Sequence, residues 1–393
     1  MPPRSITTAE VAGKRVLVRV DFNVPIENGE ITDDTRIRAA LPTIAWLREH
    51  GAKVILCSHL GRPKGTRDSR FSLAIAAQRL SELIATPVTL IDEIVGPGAE
   101  SRVAALQSGD VALLENIRFE PGEETNDPEL AKQLAALGDL FVNDAFGAAH
   151  RAHASTVGVT QFLPAYAGFL IDSELAALDR VVSHPERPFV AILGGAKVSD
   201  KLAVLVNLLG KVDALLIGGG MANTLLLAQG KKIGKSLAEP DLVARGREFF
   251  ARAAELGVEL VIPTDAVTSD SINGEGTVTP VDAIGDNDAI FDIGPDSAAR
   301  YAEIIGSAKT IFWNGPMGVA EKPQFSGGTR EIARAVAASS GYSVVGGGDS
   351  VAAVEQLGFA SQIDHISTGG GASLEYVEGR VLPGIEAIPL AEG

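Results

Sequence analysis

FVAILGGAKVSDKL, residues 189–202, sets an apolar, β-branched run directly against two glycines and a basic segment that opens a helix. A short apolar run bounded by turn signals reads as a buried strand. Gly194 and Gly195 then allow a tight turn and close approach of backbone to a ligand. The pattern recurs downstream in ALLIGGGMAN (214–223), TIFWNGPMG (310–318), SVVGGGDS (343–350) and ISTGGG (366–371). The first half closes its runs differently. VLVRVDFNVP (16–25), VILCSHLGRP (54–63), VALLENIRFE (111–120) and LFVNDAFGAAHRAH (140–153) run into Arg, His and Asn. On an α/β sheet, ligands bind beyond the carboxyl ends of the strands. One half therefore reads as a side-chain grip on a small anion, and the other as backbone brought close to a phosphate chain.

Working outward, short β-branched runs alternate with amphipathic stretches, the signature of βαβ units. Strands are expected near 16–20, 54–58, 88–91, 111–114 and 140–143, then near 190–193, 214–217, 260–262, 310–313, 343–345 and 365–367. Helices are expected over 37–50, where Ile37, Leu41, Ile44 and Leu47 share a face, and over 73–84, 198–209, 241–256 and 329–338. A chain of 393 residues exceeds one ordinary core. The expected fold is α/β: two Rossmann-like domains, each a mostly parallel sheet flanked by helices, joined by a hinge helix. IDSELAALDRVV (171–182) reads as that helix, and SHPERP after it marks a boundary because Pro is poorly tolerated inside helices and central strands. The expected divisions are 1–172, 173–370 and a returning segment 371–393, whose VLPGIEAIPL is apolar enough to dock.

Composition narrows the function. A net charge of −16 argues against a nucleic-acid partner, which calls for a basic face. Local cationic clusters can still take a phosphate substrate. No apolar stretch approaches the roughly 20 residues of a membrane span, and the N-terminus MPPRSITTAE carries no apolar signal region. A cytoplasmic protein without a membrane partner is expected. The one cysteine, Cys57, lies in an apolar run and reads as a small buried hydrophobe.

In the first half, Arg36, His59, Arg62, Arg118 and Arg151 fall at or just after expected strand ends. Arg forks match phosphate and carboxylate geometry with paired hydrogen bonds. Asp21 and Asn23 are either turn residues or partners for a substrate hydroxyl and carboxylate. His150 and His153 flank Arg151, but no matching ligand set makes them metal sites.

In the second half, Lys197 and Lys201 are four apart and would share a helical face, beside a helix N-terminus able to bind anions. Gly346, Gly347 and Gly348 precede Asp349 and Ser350. These last two are either helix caps or part of a phosphate cradle with Asp349 facing Mg²⁺, which prefers one or two carboxylates plus phosphate oxygens. NGPMGVAE adds Asn314 and Glu321. GKKIGKS (230–236) is one residue short of a Walker loop and reads as a surface loop, and no GxGxxG is present.

RVDFNVP, SHLGRP, LENIRF, NDAFGAAHRAHAS, GGAKVSDKL, WNGPMGVAE, GGGDS and STGGGASLE, in this order from about Val16 to Glu375, resemble the phosphoglycerate kinase family. The resemblance implies reversible phosphoryl transfer from 1,3-bisphosphoglycerate to Mg-ADP, giving 3-phosphoglycerate and Mg-ATP, by in-line transfer on domain closure. It implies a glycerate site of Asp21, Asn23, Arg36, His59, Leu60, Gly61, Arg62, Arg118 and Arg151. It implies a nucleotide site of Lys197, Lys201, Asn314, Glu321, Gly347, Gly348, Asp349 and Ser350, with Mg²⁺ on Asp349. Arg36, Lys197 and Lys201 would carry the transfer, and the chain would act as a monomer. Ile290 departs from the pattern, because many relatives carry glycine there, near the adenine pocket. The alternative from another class is a non-catalytic binder of a phosphometabolite or nucleotide on the same fold.

Overall fold

The strand Arg15–Arg19 (β1) buries every residue after its first. In the computed structural model, which describes residues 1–391, β1 joins Lys53–Cys57 (β2), Val88–Ile91 (β3), Val111–Leu114 (β4), Leu140–Asn143 (β5) and Ala165–Ala167 (β6). They form a six-stranded sheet of order β3-β4-β2-β1-β5-β6. Every pairing in it is parallel. Side chains alternate across a strand. Val16 and Val18 accordingly pack with Ile44, Leu47 and Leu80 on one face, and Leu17 packs with Leu130, Leu134 and Phe141 on the other. Helices on both faces are why these strands read as continuous apolar runs.

The second sheet is built the same way. Phe189–Leu193 (β7), Ala214–Ile217 (β8) and Glu259–Val261 (β9) lie on one side of it. Thr310–Asn314 (β13), Tyr342–Gly346 (β14) and His365–Ile366 (β15) complete the order β9-β8-β7-β13-β14-β15. Val190, Ile192, Ile311, Trp313 and Val345 meet residues of the helices Pro295–Ser307 and Gly327–Ala338 in one core. Between β9 and β13 the chain also makes an antiparallel sheet that the periodicity did not predict. It consists of Asp265–Ser269 (β10), Thr277–Pro280 (β11) and Ala289–Ile293 (β12), in the order β11-β10-β12.

The chain separates into two compact units, Met1–Ala176 with the residues from Val381 onward, and Ala177–Arg380. The division falls between Ala176 and Ala177, inside the helix Phe169–Val182 as residue 172 is, but further along it. The returning segment starts at Val381, not at 371. The helix Gly371–Val377 buries Ala372, Ser373 and Val377 and is held in the second unit, where Asn207 Nδ2 donates to the Val377 carbonyl. From Val381 the chain adds to the first unit. Gly384 N–H donates to Ala149 O at 2.8 Å, and Arg4 N–H to Pro389 O at 2.8 Å.

Two expected helices differ. The one over 37–50 is two, Thr35–Ala39 and Leu41–Glu49. Pro42 lacks the N–H that would carry one helix through this point. The one over 198–209 is a 3₁₀ turn, Ser199–Lys201, followed by the helix Leu202–Leu209.

Candidate functional site

Four strands of the first sheet deliver the basic half. β1 ends at Arg19 and releases Asp21 and Asn23, β2 leads into His59 to Arg62, β4 into Arg118, and β5 toward Arg151. Arg36 departs from the expectation, because it sits in the short helix Thr35–Ala39 and not at a strand end. It still joins the cluster. Its Nη1 lies 3.3 Å from Asp21 Oδ2 and donates to Asn23 O at 3.1 Å. Asn23 Oδ1 accepts Gly61 N–H at 2.8 Å, and Arg118 Nη1 donates to Gly61 O at 2.8 Å. Asn116 holds Leu60 from both sides, accepting its N–H and donating to its carbonyl. Asp21, Asn23, Arg36, Leu60, Gly61 and Arg118 are therefore one connected network. Arg62 and Arg151 are exposed. The charge of Arg151 is felt by Arg118, whose own charge burial disfavours.

Beneath this network lies a layer that motif spacing did not single out. Arg19 is 1% exposed. Its Nε donates to Ser155 Oγ at 2.8 Å, and its Nη2 lies 3.1 Å from His59 Nδ1. Glu123 is 0% exposed and accepts from Ser155 N–H at 3.0 Å and Ser155 Oγ–H at 2.6 Å. Burial opposes its charge, but His153, Arg19 and Ser155 together hold the carboxyl below its usual range. His59 is pushed well down by burial and then by Arg19, Arg118, Arg36 and His153. The signal in the sequence was a charged residue inside a strand, Arg19 in VLVRV. Cys57 is buried, and burial pushes its thiol up to about 12, which leaves it unreactive.

In the second unit, the ends of β7 and β13 meet at Lys201. Its Nζ donates to Gly194 O at 2.6 Å and to Asn314 O at 3.0 Å. Burial pushes its pKa down to about 8, with Asp349 and Asp200 acting in the opposite sense. Lys197 is exposed, lies before the 3₁₀ turn, and does not share an α-helical face with Lys201. Its charge acts instead on Glu239, which accepts from Ser199. Gly347, at φ +88°, is the N-cap of the helix Gly348–Gln356, a backbone angle that side chains rarely adopt. Ser350 is not a cap. Its Oγ accepts Gly315 N–H at 2.6 Å and ties two strand ends together. Asn314 is buried, with its side-chain amide against Gly347. Asp349 stands exposed in the first helical turn.

Asp349 and Glu321 both line a cavity of about 520 Å³. Its rim includes Gly195, Gly219 and Gly220, and its apolar wall includes Leu226, Leu237, Ile290 and Met317. The glycines are required by close approach: a Cβ on Gly219 would stand 2.6 Å from Gly195 O. Lys235 also lines the cavity, so GKKIGKS is more than a surface loop. Lys231 and Lys232 of the same segment pair outward with Asp282 and Asp286. Asp292, at the end of β12, accepts Gly328 N–H at 2.7 Å and Ile293 N–H at 2.9 Å, and burial raises its pKa to about 7. It shapes the cavity wall, and spacing alone gave no sign of it. Among the described residues no group of three or more His, Cys, Asp or Glu could hold a metal ion, and Asp349 is the exposed carboxylate that the cavity meets at the start of a helix. A single carboxylate suits Mg²⁺ bound mainly by phosphate oxygens.

The phosphoglycerate kinase family model matches residues 6–380. The chain belongs to the phosphoglycerate kinase family. It is 56% identical over 392 residues to the phosphoglycerate kinase of Roseiflexus sp. (strain RS-1), covering 99% of each chain. It is 56% identical over 400 residues to that of Chloroflexus aggregans (strain MD-66 / DSM 9485), covering 100% of each. Among solved structures, phosphoglycerate kinase from Coxiella burnetii superposes with a TM-score of 0.89 at 46% identity, covering 98% of this chain and 99% of that one. The enzyme from Pyrococcus horikoshii OT3 gives 0.87 at 36% identity, with 98% of each covered. The family is one of phosphotransferases with a carboxyl group as acceptor, and the chain is an enzyme of that class.

Proposed function

We propose that the first unit holds 3-phosphoglycerate or 1,3-bisphosphoglycerate and the second holds Mg-ADP or Mg-ATP, with direct in-line transfer between them. The observation that carries this reading is the pairing of two strand-end sites of opposite style. One is the Asp21, Asn23, Arg36, Gly61 and Arg118 network. The other is Lys201 beside the helix N-terminus at Gly348, next to a cavity with an apolar wall.

The assigned roles follow from the chemistry. Arg36, His59, Arg62, Arg118 and Arg151 take the phosphate and carboxylate of the glycerate ligand, with Asp21 and Asn23 on its hydroxyl and carboxylate. Leu60 and Gly61 offer backbone. Lys201, Lys197, Asn314, Glu321 and residues 347–350 take the nucleotide, whose base rests on the apolar wall that includes Ile290. Phosphoryl transfer asks for alignment and neutralisation of charge rather than covalent help. Arg36, Lys197 and Lys201 supply that charge. Bound at Asp349, Mg²⁺ would add neutralisation of the nucleotide's phosphate oxygens. The acceptor is already a carboxylate, so no side chain has to remove a proton.

Because each ligand belongs to a different unit, transfer requires closure and exclusion of water. The helix Phe169–Val182, which carries the chain from one unit to the other, is the assigned hinge. Both sites draw on a single chain, which supports a monomer. No helix among the described residues is long and apolar enough to cross a membrane, and a cytoplasmic setting fits a substrate pair of small phosphorylated metabolites. The non-catalytic alternative is disfavoured by the intact charged positions in both units.

A coupled assay of ATP formation from 1,3-bisphosphoglycerate and Mg-ADP tests the reading. Turnover that saturates in both ligands is expected. Folded, Mg-supplied protein that binds both ligands without turnover would overturn it in favour of the binder.

A further inference from the structure

Hydrogen-bond direction in the buried layer of the first unit is fixed by chemistry. An ionised carboxylate only accepts, and a guanidinium only donates. Glu123 accepts the single hydroxyl proton of Ser155. The lone pairs of Ser155 Oγ are thereby left for Arg19 Nε–H. Arg19 Nη1 donates to the Val20 carbonyl, and Nη2–H faces His59 Nδ1 at 3.1 Å. Nδ1 must then be the bare acceptor nitrogen, and the ring proton must sit on Nε2. Asp21 Oδ1 lies 3.9 Å from the same Nδ1, but with no proton there the contact is not an ion pair. The other groups that act on His59 are Arg118, Arg36 and His153, all cations or potential cations. The two guanidinium groups offer no acceptor that would draw a proton to Nδ1, and His153 turns its own Nδ1 toward Glu123 Oε1 at 3.5 Å.

We propose that Glu123 is a positioning residue: through Ser155 and Arg19 it holds His59 as the neutral Nε2–H tautomer, so that the ring presents a hydrogen-bond donor to the glycerate ligand. Only the last step, the presence of that ligand, rests on the function proposed above. The relay itself is a property of the free protein. Glu123 also supplies the buried negative charge next to Arg19 and His153, so that the cationic layer is not left without a counter-ion.

The Gln variant discriminates because Glu123 makes two acceptor contacts with Ser155, one to its N–H and one to its Oγ–H. Glu123→Gln keeps the shape but offers one acceptor and one NH₂. With its NH₂ on Ser155 N–H a donor faces a donor; turned the other way, the NH₂ donates to Oγ and the hydroxyl proton loses the acceptor that fixes its direction. Ser155→Ala removes the relay at its middle and leaves the carboxylate.

The test uses the full chain with ¹⁵N-labelled histidine, the His59 signals being assigned by their loss in His59→Gln. In the unsubstituted protein near neutral pH, Nδ1 is expected to read as a bare acceptor and Nε2 as protonated. A protonated Nδ1 overturns the proposal, whether or not any variant folds. In folded Glu123→Gln and Ser155→Ala, the ring is expected to lose its single tautomer, and KM for 3-phosphoglycerate to rise about tenfold with KM for Mg-ATP within about twofold. An unchanged ring in both variants, or parallel losses for both substrates, overturns the relay. If the ring behaves as expected but does not respond to added 3-phosphoglycerate, the relay stands and the assignment of the glycerate ligand fails.

Discussion

The ammonium of Lys201 lies 2.6 Å from the carbonyl oxygen of Gly194. The contact anchors the side chain at the end of β7 while burial holds its pKa at about 8. The unfolded chain keeps this proton up to about 10.5. Between those values the unfolded state binds more protons, so this group's contribution makes stability rise with pH. On the role proposed for Lys201, activity is expected to have the opposite slope, because the cation assigned to the nucleotide phosphates is lost. kcat/KM for the nucleotide, which reports free-enzyme pKa values, is expected to fall as pH rises through about 8. Lys201→Arg, charged throughout, removes that limb from the pH–rate profile.

Arg36 is held by Asp21 and Asn23 with its side chain about one-third exposed, so it is oriented yet free to reach a ligand. Arg36→Ala is expected to lower kcat by about 10²–10³, the usual effect of removing a donor aimed at developing charge. KM for Mg-ATP should stay within about twofold. Steady-state kinetics with each substrate varied in turn reads both numbers, and comparable losses in kcat and nucleotide affinity contradict the assigned role.

Asp349 contacts the cavity from the first turn of the helix Gly348–Gln356. Asp349→Asn is expected to weaken Mg-ADP binding by about tenfold or more, while 3-phosphoglycerate binding is unchanged. Calorimetry on each ligand alone checks the separation, and a magnesium titration should show the variant's deficit shrinking as the metal rises.

Asp144 is fully buried, and its Oδ1 accepts Leu170 N–H at 2.9 Å at the start of the helix Phe169–Val182. Burial raises its pKa from 3.8 to about 7. Between those values the folded state holds a proton that the unfolded state has released, so the stability it contributes is lost as pH rises through that window. Asp144→Asn keeps an acceptor for Leu170 and does not ionise. Urea unfolding is expected to show the variant gaining on the parent by about 3 kcal/mol between about pH 5 and pH 8. A constant difference across that range contradicts the buried, protonated acid.

Gly315 has φ +98°, and a Cβ there would meet Gly194 O and stand 2.6 Å from Lys201 Nζ. Gly315→Ala is expected to cost about 1–3 kcal/mol in stability and to raise the nucleotide KM by displacing Lys201. Thermal melts and nucleotide kinetics measure the two effects, and a variant with unaltered KM detaches Lys201 from the nucleotide.

Both parallel sheets were legible in the sequence because their strands are buried on two faces and read as unbroken apolar runs. Turn chemistry then located Asn23, His59 and Gly347 at the mouths. Among the features that were not legible, three show the physical reason. Pro42 splits a helix whose apolar spacing runs straight through it. The helix Gly219–Ala228 opens with glycines that read as a turn, because the close approach of Gly195 and Ala196 that requires them lies far along the chain. The buried layer of Arg19, Glu123 and Ser155 joins residues more than a hundred positions apart, a distance at which spacing carries no signal. Arg19 did break the apolar run of β1, and a charge inside a strand that should be fully covered needs a buried partner.

The closing residues of the chain bear on how it is made. Gly384, Pro389 and Ala391 supply hydrogen bonds to Ala149, Arg4 and Pro2, so the first unit is completed by amino acids that leave the ribosome after everything in the second. Residues 177–380 are contiguous and can fold as they emerge. Residues 1–176 lack these last partners until translation is nearly over. The unit begun first is thereby the one finished last.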